Sequence, residues 1–382
     1  MSSNPALPSP GTDGIAISLY ISGIQRILKT MASKSTVRPK RILIIRTDRI
    51  GDVILTLPMA KVVKKHDPDA IVGMLVRGYT SELVEADNAV TEIIHEDSGG
   101  APVPITALIR RLRGGRFDAA VHTHPRFRLA LAVLLAGIPL RVGTGYRWYS
   151  FLFNRRVYEH RKTAERHELE YNLNLLSAIG FSSDGIDTTP ALLPEKRCRD
   201  RVRTLLAEIG IAAGDELVIL HPGSGGSARD WPPERFGRLA ELLAGDRSRR
   251  VLITGGPGEE ALVEEVVRIA SGGVFRMKSG LTLLEFGALA QTARLFIANS
   301  TGPLHLAAAV GTPVIGLYPQ ITALSPARWG PYTAKKTVLT PVGKPADCRQ
   351  CRGGRGACEC MMTISVDDVY RVVLRQLEAE TV

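Results

Sequence analysis

Two aspartates and three arginines crowd residues 41–58, RILIIRTDRIGDVILTLP, where one apolar run ends in a short glycine-containing turn and leads straight into a second. A carboxylate placed at such a strand-to-helix corner is a candidate for chemistry, and both Asp48 and Asp52, the latter directly after Gly51, stand there. The competing reading of Asp52 is a helix N-cap. Arg46 and Arg49 in the same turn are candidates to hold an anionic substrate. A second corner, HPGSGGSARDW from His221 to Trp231, combines glycines that allow close backbone approach with serine hydroxyls and the guanidinium fork of Arg229. That mixture suits a diphosphate, although it is neither a Walker A sequence nor a dinucleotide fingerprint, and a plain flexible loop would read the same way. A third corner, NSTGPLH from Asn299 to His305, would aim the backbone N–H groups of Thr301 and Gly302 from a helix N-terminus at a phosphate. Ser300 or Thr301 could instead simply cap that helix, and His305 taken alone reads as a structural histidine, but two phosphate-suited corners at the same end of one sheet make Ser300, Thr301, Gly302 and His305 candidates for the donor side.

The elements that must carry these corners alternate. Residues 42–45, 71–76, 91–95 and 119–123 are short apolar runs of the kind buried on both faces of a parallel sheet, with helical stretches between them. Pro58 is expected to kink the helix that follows Asp52. A second series of strands is expected at 217–221, 250–254, 274–277, 295–298 and 314–318, and a final helix at 366–379. This is an α/β chain of two Rossmann-like, doubly wound domains facing a central cleft. The expected divisions are an N-terminal extension over 1–40, a first domain over 41–195, a second over 196–345, and a cysteine-containing loop with the last helix over 346–382.

At 382 residues and 45% hydrophobic content the chain can build two ordinary cores. No apolar run is long enough to span a bilayer, and the first residues lack the order of a secretory signal. A cytoplasmic protein is expected, with Met31 a second candidate for the start of translation. The formal net charge of +11 points to an anionic partner: a phosphate-rich saccharide, an acidic lipid surface or a nucleic acid. A nicotinamide-dependent oxidoreductase would need a GxGxxG after a strand, which is missing. A nucleic-acid-binding protein is disfavoured by 5% aromatics and no recognised module. Cys348, Cys351, Cys358 and Cys360 have a spacing that could bind a structural zinc ion or form a redox pair.

Four motifs, in order, carry a resemblance: RxDxIGDVILTLP from Arg46, HPGSG with WPPERF from His221, GGPGEE from Gly255, and NSTGPLHLAAAVGTPVIGLY from Asn299. Together they resemble glycosyltransferase family 9, the ADP-heptose:lipopolysaccharide heptosyltransferases. The resemblance implies a GT-B architecture whose last helix crosses back to the first domain. It also implies inverting transfer of a heptose from an ADP-sugar, with no metal or other cofactor required, to an anionic lipid-linked saccharide at the inner face of the inner membrane. Asp52 falls on the family's proposed base, and Ser224, Gly225, Thr301 and Gly302 on its phosphate contacts. Arg229 replaces a residue that is commonly lysine. Glu260, with Glu259 as the alternative, falls on the ribose-binding glutamate, and the adenine is expected near Leu281 and Thr282. Ser300 stands where an aspartate is frequent beside the sugar, which leaves open a same-fold transferase using another nucleotide sugar. The cysteine cluster precedes a Cys-Met-x-x-Ile element and reads as structural. Of the first domain's basic residues, Arg46 and Arg49 are expected to meet the acceptor, while Arg77, Arg126 and Arg128 read as solvated.

Overall fold

The computed structural model describes residues 38–277, 280–343 and 359–379. Most of the N-terminal extension, and Cys348, Cys351 and Cys358, lie outside the described residues. Cys360 is buried.

The first sheet is built from β1 (Arg41–Ile45), β2 (Ile71–Val76), β3 (Glu92–His95), β4 (Ala119–His122), β5 (Leu140–Thr144) and β6 (Arg155–Val157). Its strands lie in the order β3-β2-β1-β4-β5-β6, all parallel. The second sheet holds β7 (Glu216–His221), β8 (Arg249–Ile253), β9 (Val274–Arg276), β10 (Leu295–Asn299), β11 (Val314–Leu317) and β12 (Lys336–Leu339). It repeats the same arrangement, β9-β8-β7-β10-β11-β12. Both are doubly wound sheets, and in each the strand order reverses beside the first strand. The central strands have no polar face because helices cover both sides, so Ile42, Leu43, Ile44 and Ile45 are all fully buried.

The chain after β1 forms α1 (Ile50–Ile54), a turn, and then α2 (Pro58–His66). Pro58 has no N–H to continue α1, and a break falls there as the sequence suggests. Later helices that bear on the site are α3 (Glu168–Ser177), α4 (Lys196–Glu208), α5 (Pro233–Ala244), α6 (Leu283–Thr292), α7 (Gly302–Ala309) and α8 (Val366–Ala379). The two halves meet where α1 lies against α7. A Cβ on Gly51 would stand 2.7 Å from the His305 ring, and one on Gly302 would stand 2.9 Å from Ile50 Cβ, so both glycines are needed for the approach.

One expectation is corrected here. The last helix, implied to cross back to the first domain, packs on the second sheet instead. Val369, Val373 and Leu377 recur every fourth residue of α8 and are buried in one cluster with Val218, Trp231, Phe236 and Leu243. Trp231 Nε1 donates to the Ile364 carbonyl at 2.9 Å, anchoring the chain just before α8. Among the described residues no helix is long and apolar enough to cross a membrane.

Candidate active site

Ligands of open α/β sheets gather beyond the carboxyl ends of the strands, at the point where strand order reverses. Here the residues following β1, β4, β5, β6, β7, β10 and β11 line a single cavity of about 870 Å³ between the two sheets. Arg46, Arg49, Asp52, Ser300, Thr301, Gly302 and His305 all reach it. Ser224, Gly225, Arg229, Glu260, Leu281 and Thr282 are not among its lining residues.

Asp52 is the third residue of α1 and does not cap it. The N-cap position belongs to Arg49, and the Asp52 carboxylate pairs instead with Arg46 Nη2. Arg46 is 2% exposed and also donates to Asp48 at 2.7 Å and to Glu168 at 3.2 Å. A guanidinium with three carboxylate partners is committed, which corrects the reading of Arg46 as an acceptor ligand; it holds Asp52 in place. Arg49 remains on the exposed rim of the cavity.

Glu168, at the start of α3, is the hub of this network. Its Oε1 accepts from Arg161 at 2.6 Å, and its Oε2 accepts both Nε and Nη2 of Arg328, at 3.0 and 2.9 Å. Arg328 belongs to the second half of the chain, in the short helix Pro326–Trp329, so this fork ties the two halves together beside the cavity. Asn172, one turn along α3, donates to Thr56 Oγ1, which itself donates to the Asp52 carbonyl at 2.7 Å. Sequence reasoning missed both residues. The available signal was two polar residues four apart, Glu168 and Asn172, set among leucines on the buried face of a helix.

The three carboxyl groups around Arg46 have been driven apart. Burial works against the charge on Asp48, but Arg46 and His124 overcome it and hold the group at about 2. Burial opposes the Glu168 charge as well, and Arg161, Arg46 and Arg328 together keep it below the ordinary carboxylate range. Asp52 goes the other way. Burial raises its pKa, the neighbouring charges of Asp48 and Glu168 add to the effect, and Arg46 only partly offsets them. Of the three, Asp52 is the carboxylate whose surroundings most favour the protonated form.

The second half presents backbone. Thr301 is the N-cap of α7 with no side-chain cap, leaving the helix N-terminus open to the cavity. Asn299, fully buried, accepts from Trp231 N at 2.8 Å and donates to the Pro222 carbonyl at 2.7 Å, which staples the glycine loop to the strand beside it. Ser227 donates to the Ser300 carbonyl at 3.0 Å, joining the two corners. Gly225 and Gly226 both have left-handed φ, and Gly226 lines the cavity. The Gly225 amide is held by Glu259, which also accepts from Gly256 N at 2.7 Å. Glu259 therefore braces the two glycine loops, whereas Glu260 lines a separate cavity of about 340 Å³ with Gly255, Gly256, Arg276 and Met277. Ser224 is buried beside Asp230, whose carboxyl is pushed up to about 6 by burial. Arg229 lies in the loop just before it.

Leu281 and Thr282 sit at the junction of the halves. Thr282 caps α6, and the next amide, Leu283 N, donates to Glu82 of the first half. His305 is buried against Gly51, and burial lowers its pKa to about 3, so the imidazole is neutral. Ser300 lines the cavity and reaches the Tyr318 hydroxyl.

The family model described as glycosyltransferase family 9 (heptosyltransferase) matches residues 105–354, which include the whole second sheet. The chain belongs to glycosyltransferase family 9. This family 9 transferase is 26% identical over 292 residues to lipopolysaccharide heptosyltransferase 3 of Escherichia coli (strain K12), across 74% of this chain and 83% of that protein. Among solved structures, the family 9 glycosyl transferase of Veillonella parvula DSM 2008 superposes with a TM-score of 0.75 at 23% identity, covering 89% of this chain and 97% of that one. The E. coli ADP-heptose lps heptosyltransferase II superposes with a TM-score of 0.74 at 21% identity, covering 90% and 100%. The family 9 enzyme thus has the GT-B fold, two Rossmann-like sheets around a cleft.

Proposed function

We propose that this enzyme transfers a heptose from ADP-heptose to an acceptor sugar of the lipopolysaccharide inner core, with inversion and without a metal ion. The observation that carries the reading is the Asp52 carboxylate, held by Arg46 at the mouth of one sheet and set against the open N-terminus of α7 in the other. In a single displacement the acceptor oxygen attacks the anomeric carbon as the bond from that carbon to the diphosphate breaks. The bonding electrons pass to the departing phosphate oxygen, and the hydroxyl proton goes to Asp52. Backbone N–H groups of Thr301 and Gly302 receive the growing phosphate charge. Arg229 and the loop at Ser224 and Gly225 hold the rest of the diphosphate, the Gly225 amide exchanging Glu259 for phosphate oxygen. Glu260, in the smaller cavity, binds the ribose. Adenine lies between that cavity and Leu281 and Thr282, and neutral His305 supports the sugar side of the cleft.

Arg49, with Arg147 and Lys162 on the cavity wall, meets the anionic lipid-linked acceptor. Such an acceptor places the enzyme in the cytoplasm, at the inner face of the inner membrane. Purified enzyme incubated with ADP-heptose and an inner-core saccharide, in the presence of a chelator, should add one heptose by mass, with the anomeric configuration inverted by NMR. A second reading, a different sugar donor, is favoured by Ser300, a hydroxyl where this family frequently carries a carboxylate beside the sugar. Transfer from a UDP-sugar and none from ADP-heptose would establish it.

A further inference from the structure

The chain carries 38 acidic residues in 382, yet residues 119–158 contain none, while holding six arginines. The same stretch carries most of the exposed aromatic surface. Phe127, Tyr146, Trp148, Phe151 and Tyr158 are all exposed, Trp148 by 73%, whereas Trp231 is fully buried. The segment from Gly145 to Asn154 alternates: Trp148 and Phe151 face out, while Tyr149, Leu152 and Phe153 form a buried cluster beneath them. It is firmly held from below, since the Tyr149 hydroxyl donates to the Pro125 carbonyl at 2.7 Å and Arg141 donates to the Leu152 carbonyl at 2.9 Å. The outward rings are ordered in pairs, Phe127 stacked on Trp148 at 4.9 Å and Tyr146 edge-on to Tyr158 at 5.5 Å. These rings stand outside the buried cluster of Ala130, Tyr149, Leu152 and Phe153.

We propose that this aromatic and arginine-rich face docks on the surface of an anionic phospholipid bilayer. Tryptophan and tyrosine favour the headgroup region, and the exposed arginines beside them, Arg126, Arg147 and Arg156, are drawn to anionic lipid, while Arg141 is buried beneath and Arg128 pairs with Glu96. The face is continuous with the cavity, because Tyr146 and Arg147 line both. A saccharide tethered to lipid would then enter the cleft while its tails stay in the bilayer; this part rests on the acceptor reading above.

Co-sedimentation with phosphatidylcholine vesicles containing one part in three phosphatidylglycerol tests the docking without any transfer reaction. The wild-type enzyme should bind these vesicles, bind pure phosphatidylcholine weakly, and release as salt rises. Trp148→Ser with Phe151→Ser should weaken binding about tenfold or more, and Arg126→Glu should weaken it further. The Trp148→Ser/Phe151→Ser variant should keep its melting temperature and its rate on a lipid-free acceptor saccharide, while losing rate on the same saccharide embedded in vesicles. Equal vesicle binding by wild type and variant would overturn the proposal. So would the same substitutions abolishing self-association or binding to a single-stranded oligonucleotide while vesicle binding stays absent. If transfer occurs but vesicle binding fails, the docking face falls and the function stands; the reverse result separates them the other way.

Discussion

The corner after β1 and the corner after β10 occupy equivalent kinds of place, the carboxyl end of a central strand at the reversal of strand order in each sheet, yet they are built from opposite materials. The first is made of side-chain charge: Arg46, Arg161 and Arg328 against Asp48, Asp52 and Glu168. The second is made of backbone, a helix N-terminus that Asn299 staples to the loop after β7 with its paired left-handed glycines. Under the proposed transfer, the contrast teaches a division of labour. A group that must gain a proton needs a tunable environment, which charges supply. A site for a departing diphosphate needs donors that are already oriented, which the backbone supplies without reorganising.

The contrast breaks most sharply at Asp52. Asp52→Ala should lower kcat by about 10²–10⁴-fold while calorimetric binding of the ADP-sugar persists. Near-wild-type turnover would remove the base assignment and, with it, the meaning of the ionic corner. Next in size is Glu168. Glu168→Ala leaves three arginines facing a buried void and should cost roughly 3–5 kcal/mol of stability in denaturant titration. Glu168→Gln keeps the shape and removes a negative charge that helps raise the Asp52 pKa. The acid limb of the kcat profile should therefore move to lower pH; an unmoved limb would mean that Glu168 serves structure alone.

The backbone corner should respond differently. Asn299→Ala leaves the Trp231 amide and the Pro222 carbonyl without their partner, at about 1–3 kcal/mol. Its effect should appear in KM for the donor with the kcat pH profile unchanged. An effect of comparable size, confined to acid pH, concerns His122 at the end of β4, where burial lowers the pKa to about 3. An imidazole kept neutral in the fold contributes stability that is complete above its unfolded pKa near 6.5 and is lost as pH falls toward 3. His122→Gln should remove about 2 kcal/mol of the acid destabilisation seen at pH 5, read as a smaller drop in melting temperature.

The strands that the sequence shows clearly are those buried on both faces. β2 is bounded as its apolar run suggests, and the observed ends of β1, β4, β7 and β10 differ from the expected ones by a residue. β5, β6 and β12 escape the reading. β5 is interrupted by Arg141 and Gly143, while β6 and β12 lie at sheet edges with lysine or arginine at their starts. An edge strand needs apolar residues on fewer sides, so its pattern is weak.

Sequence alone determined the alternation of strands and helices, the glycines at the turns, and the identity of the polar corners, because these follow from local periodicity and turn chemistry. Tertiary structure alone decided what those residues do for one another. Arg46 turned from a free cation into the clamp on Asp52 because Glu168, 122 positions later, folds onto it. Gly51 is required by the His305 ring across the interface, a neighbour 254 residues away that no local pattern could reveal. Burial and charge pairing are sums over the whole fold, and they separate the pKa of Asp52 from that of Asp48 although the two stand in one turn.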